Sequence, residues 1–107
     1  MPYLQAFCLY EFTVMIESEK LLERKLREGI QKLEGWAIKL VAAHITGLPD
    51  RLCLLPGGRL FFAEIKTTKQ KPKKIQAYVH QKLIKMGFRV EVIDTSNQIQ
   101  QILKDYE

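Results

Sequence analysis

The sequence predicts a single α/β domain, a central mixed sheet flanked by helices, in the order α-β-β-β-α-β-α. Three observations predict it. Leu22, Leu26, Ile30 and Leu33 recur at helical spacing and are followed by short apolar runs of strand length. Two of those runs flank Pro56-Gly57-Gly58, a hairpin signal. A second helical stripe, Ile75, Val79, Leu83 and Met86, then leads into the alternating FRVEVID, as a crossover to a parallel strand would.

The first helix is expected over 17–33, with Ser18 able to cap it and Gly35 following its end. Residues 36–42 read as a short strand, ending in the loop 43–49 that carries His44 and Thr46. Strands follow at 51–55 and 60–66. Pro72 opens the second helix, which Gly87 stops, and Gln76 falls in its first turn with His80 one turn on. Residues 88–94 form the last strand, and Thr95 or Ser96 caps a last helix whose Ile99, Ile102, Leu103 and Tyr106 share one side.

At 107 residues and 47% hydrophobic content the chain can form one packed core. Residues 1–14 are apolar and aromatic, lack the basic start of a signal peptide and are too short to span a bilayer, so neither export nor an anchor is expected. They stand as an N-terminal extension of uncertain structure before a domain at 15–107. Cys8 and Cys53 have no metal-ligand spacing and read as free thiols in a reducing compartment, which points to the cytoplasm and away from a zinc site. Seventeen Lys and Arg against twelve Asp and Glu, a net charge of +5, favour a polyanionic partner.

The most informative stretch is GLPDRLCLLPGGRLFFAEIK, from Gly47 to Lys66. Strand alternation turns Glu64 and Lys66 to the same face. A three-residue loop over 56–58 with a left-handed glycine sets Asp50 opposite Glu64, whereas a two-residue Gly57-Gly58 turn sets it opposite Ile65 and turns it away. Two carboxylates facing each other repel unless one is protonated or a cation lies between them. Carboxylate oxygens suit Mg²⁺ or Mn²⁺, and a neighbouring lysine can orient or help deprotonate a water. The Pro-Gly-Gly turn is not a phosphate-binding loop, because no Gly-Lys-Ser/Thr and no helix follow it.

Pro49-Asp50, the spacer and Glu64-Ile65-Lys66 resemble the motif of the PD-(D/E)xK nuclease superfamily, and the whole string with the following Gln76 helix is similar to the VRR-NUC (virus-type replication-repair nuclease) family. The match runs from about residue 17 to about residue 94 and implies a restriction-endonuclease-like core. It implies a metal-dependent endodeoxyribonuclease in which Asp50, Glu64, the Ile65 carbonyl and a helical Glu23 hold the ion, with Lys66 and Gln76 completing the catalytic set. Spacing alone makes Glu23 an exposed partner of Arg27, and Glu19, one turn earlier, competes for the same role. Gln76 by spacing is a surface polar residue.

Thr67 to Lys74 carries Lys69, Lys71, Lys73 and Lys74 directly after Lys66, so this run is either a solvated loop or a phosphate-contacting edge; His44 and Arg51 are further candidates for DNA contact. The resemblance further implies small phage-type homodimers acting on branched DNA such as four-way (Holliday) junctions. The apolar segment Tyr3 to Val14 is a source of interface area. A catalytically silent or partner-dependent DNA-binding module is the alternative reading, and a small oligomerising structural domain a third.

Overall fold

A computed structural model describes residues 17–41, 44–66 and 72–107. Its elements run α1 (Glu19–Lys32), β1 (Trp36–Lys39), β2 (Arg51–Leu55), β3 (Arg59–Ile65), α2 (Lys74–Lys85), β4 (Val90–Ile93) and α3 (Ser96–Lys104), in the expected order. The N-terminal extension, with Cys8, and the candidate DNA-contacting residues Lys69 and Lys71 lie outside the described residues.

Each helix begins where side chains can satisfy free backbone N–H groups. Ser18 Oγ accepts from Leu21 N at 3.1 Å and starts α1. Thr95, not Ser96, caps α3: its Oγ1 accepts from Gln98 N at 3.3 Å while Gln98 Oε1 accepts from Thr95 N at 3.2 Å. Gly35 follows the end of α1, as expected, but the left-handed residue there is the one before it. Glu34, at φ 64°, takes the left-handed position and Gly35 N reaches back to the Ile30 carbonyl at 2.9 Å. Gly35 is needed for another reason, since a Cβ there would lie 2.3 Å from the Leu54 carbonyl of the neighbouring strand. At the end of α2, Gly87 does take the left-handed position, at φ 96°.

The four strands lie in the order β1-β2-β3-β4, antiparallel in the first two pairings and parallel between β3 and β4. One face carries the core: Leu22, Leu26 and Ile30 of α1 and Ile99 and Ile102 of α3 meet Cys53, Phe61, Ala63 and Ile65 of the sheet. Burying such aliphatic side chains contributes about 1.5–3 kcal/mol each before entropy is counted. Glu17 joins the two helices, bonding both Lys25 of α1 and Ser96 at the start of α3.

On the opposite face Glu64 meets His80 of α2. The buried residues of α2 are Val79, His80 and Leu83, whereas Ile75 is 45% and Met86 58% exposed. The expected stripe is thus corrected at both ends. At about 100° per residue the buried face centres between Gln76 and Leu83, which leaves Ile75 about a quarter turn away and brings His80 inward. Met86 is the cap residue beyond the last turn.

Candidate active site

The β2–β3 turn decides the site. Leu55 pairs with Arg59, leaving the three-residue loop 56–58, and the register continues through Leu52 with Phe62 and Arg51 with Ala63. One further step sets Asp50 beside Glu64. Gly57 at φ 84° and Gly58 at φ 75° supply the left-handed conformations this loop requires. The two-residue alternative is excluded by the register.

Asp50 sits just before β2, between the hairpin and β1. Its carbonyl accepts from Leu40 N at 2.8 Å and its Oδ2 from Ile65 N at 3.1 Å, so backbone on both sides fixes it. Pro49 before it is buried. Glu64 is 1% exposed, and its Oε1 has no hydrogen-bond partner. Burial first, then hydrogen bonding and charge from Asp50, raise the Glu64 carboxyl well above the usual carboxylate range, and the opposing pull of Lys66 is smaller. Lys66 Nζ stands 3.7 Å from Glu64 Oε2, on the same side of the strand, as alternation requires.

His80, which by spacing can reach the same side as Gln76 one turn before it, arrives from α2. Its Nε2 lies 3.9 Å from Glu64 Oε1, and neither atom has a hydrogen-bond partner. Burial lowers the imidazole below its ordinary range by disfavouring its charged form. The signal available in the sequence was the four-residue step from Gln76 to His80, one helical turn.

Other candidates are placed differently. Glu23 on α1 faces Arg51, Oε2 to Nη2 at 3.8 Å, and no three His, Cys, Asp or Glu side chains among the described residues converge enough to hold a metal ion. The structure therefore does not bring Glu23 to the Asp50–Glu64 pair. The reason is alternation: Arg51 follows Asp50 and turns to the opposite, core-bearing face, where α1 packs. Glu19, the competing carboxylate, is exposed in the first turn of α1. Arg51, the candidate for DNA contact, is 9% exposed and donates from Nη1 to the Ala37 carbonyl at 3.2 Å. Gln76 is half-buried, and its Oε1 accepts from Lys73 N at 2.9 Å, so it caps α2. Lys73, Lys74 and His44 are exposed.

A mixed sheet of this order, with Asp50 one register step from facing Glu64 and Lys66 beside it, agrees with the resemblance to the PD-(D/E)xK nucleases. A solved structure described as a VRR_NUC domain matches with a TM-score of 0.76 at 29% identity, covering 83% of this chain and 97% of the other. The protein named "Putative nuclease p44" from Acyrthosiphon pisum secondary endosymbiont phage 1 is 35% identical over 79 residues, which is 74% of this chain and 85% of that protein. No family model matches the sequence. The chain belongs to the VRR-NUC family of nucleases. None of its helices, among the described residues, is long and apolar enough to cross a membrane.

Proposed function

We propose that this nuclease is a metal-dependent DNA endonuclease whose Asp50 and Glu64 carboxylates hold Mg²⁺ or Mn²⁺, with the Ile65 carbonyl as a further oxygen donor. The observation that carries the reading is the pairing of Asp50 with a buried Glu64 whose Oε1 has no partner. Two carboxylates in this position strain the cation-free protein and suit a hard divalent ion. Such an ion, when bound, supplies Lewis acidity toward a phosphoryl oxygen and offsets charge on the leaving oxygen.

The protein's own groups divide the remaining work. Asp50, fixed by the Ile65 N–H, holds its carboxylate in one orientation without rearrangement during turnover. Lys66, with its side chain 19% exposed, reaches from the buried Glu64 to the site's open side. There its ammonium positions the attacking water and stabilises charge on the phosphate. Gln76 orders the start of α2, the helix that brings His80 to Glu64. Lys73 and Lys74, exposed where α2 begins, contact backbone phosphates together with Lys69 and Lys71, which precede them in the sequence.

The substrate we assign is branched DNA, cut by a homodimer; two-fold symmetry supplies the two active sites that symmetric resolution of a four-way junction requires. The support for this is family membership and the net charge of +5. The test is cleavage of single-stranded, duplex, flap and four-way-junction DNA with Mg²⁺, with Mn²⁺ and with chelator, alongside sedimentation at micromolar concentration. Cleavage is expected only with metal and to be lost in Lys66→Ala. Activity in chelator overturns the metal reading. A monomer that cuts linear duplex as readily as a junction overturns the substrate assignment and leaves the nuclease standing.

A further inference from the structure

We propose that His80 is a positioning residue for Glu64, its Nε2–H donating to Glu64 Oε1 and holding the carboxylate in the orientation that takes up the divalent cation. The inference rests on the cation reading above and extends it to a residue on the other side of the crossover. Two observations meet here. His80 and Glu64 are 6% and 1% exposed, and their facing atoms, 3.9 Å apart, are the buried side-chain polar atoms without hydrogen-bond partners among the described residues.

Buried polar atoms are normally paired, because an unpaired donor or acceptor loses its water and gains nothing in return. Two such atoms facing each other need an approach of only about 1 Å to reach the usual N–H···O distance of about 2.9 Å. Small rotations of the Glu64 and His80 side chains supply it. An imidazole with a single ring N–H makes this bond in the tautomer that carries the hydrogen on Nε2.

Packing holds His80 in place for this role. Val79 and Leu83, on either side of it along α2, are buried, and the Gln76 cap fixes where the helix starts. The donor therefore arrives on a rigid element. Lys66 flanks Glu64 at Oε2 and His80 at Oε1, so each oxygen has its own neighbour. A carboxylate oxygen accepts more than one partner, and the His80 bond leaves capacity for a cation. A group that orients a ligand in this way, without touching metal or substrate, typically changes metal affinity about 10–100-fold when removed.

The experiment is calorimetric titration of the full chain with Mn²⁺ alone, comparing wild type, His80→Phe and His80→Gln, with kcat and KM on DNA measured in parallel. His80→Phe keeps the ring volume and lacks the donor; His80→Gln keeps an N–H donor on a flexible chain. We expect His80→Phe to bind Mn²⁺ about 10–100-fold more weakly and to lose kcat with little change in KM, and His80→Gln to recover most of both. Equal Mn²⁺ binding by wild type and His80→Phe overturns this inference alone, as does a Gln variant no better than Phe. Absence of Mn²⁺ binding by wild type overturns the cation reading and this inference with it. The wild type provides a check that needs no variant to fold: in ¹⁵N-labelled protein, Mg²⁺ should slow exchange of the His80 Nε2 proton, and unchanged exchange overturns the bond.

Discussion

Replacing Glu64 with Gln should stabilise the cation-free protein at alkaline pH, because the native site holds this carboxyl at a cost. Folding raises the Glu64 pKa, through burial and through Asp50, above its unfolded value of about 4.3. Below that pH the group is protonated in both states and costs nothing. As pH rises past it, the unfolded chain releases the proton while the folded chain retains it, and stability falls until the folded pKa is reached. Each unit of elevation is worth about 1.4 kcal/mol. With Glu64 only 1% exposed, solvent screening removes little of this. In a chain of 107 residues even one unit corresponds to roughly 5 °C in Tm. Thermal denaturation in chelator should therefore show Glu64→Gln melting at least about 5 °C above wild type at pH 8.5, with the difference shrinking toward pH 4.5. Saturating Mg²⁺ should narrow the difference, since a ligand at about 100 times its Kd stabilises the protein that binds it by about 2.7 kcal/mol. A Tm difference independent of pH, or a variant less stable at pH 8.5, would refute the account of Glu64.

Asp50→Asn should abolish cleavage while leaving the fold intact, and it should lose most of the Mg²⁺-induced rise in Tm; normal cleavage would sink the site assignment. Arg51→Ala should destabilise the protein by about 1–3 kcal/mol in urea denaturation, because it leaves the Ala37 carbonyl without this partner and removes the contact with Glu23. Its DNA affinity should keep the wild-type salt slope, and a flattened slope would return Arg51 to the phosphate-contacting set. Changing Lys73 and Lys74 together to Ala should weaken binding to all DNA sequences and reduce the salt slope by roughly two units, measured by fluorescence anisotropy between low and physiological salt.

Local rules made much of this protein legible in its sequence. The four-residue repeat of Leu22, Leu26 and Ile30, the alternation around Cys53 and Phe61, and the capping residues Ser18 and Thr95 act over a few bonds, and each lies where those rules put it. The same is true of the pairing of Asp50 with Glu64: a three-residue loop and the two-residue period of a strand carry register from the turn to the site. What only the tertiary structure decided concerns the other layers. Spacing leaves a helix free to rotate about its axis, and the sheet's second face selected the rotation of α2 that buries His80 and exposes Ile75. Arg51 and Glu23, polar by composition, were drawn to each other because adjacent strand residues face opposite sides and α1 packs on the side away from Glu64. Gly35 serves a contact with the Leu54 carbonyl and leaves the helix stop to Glu34, a role set by a strand 19 residues further along the chain. Periodicity acts within one element and determines which residues share a face; which face meets which depends on packing between elements, and that is where the partner of Glu64 was chosen.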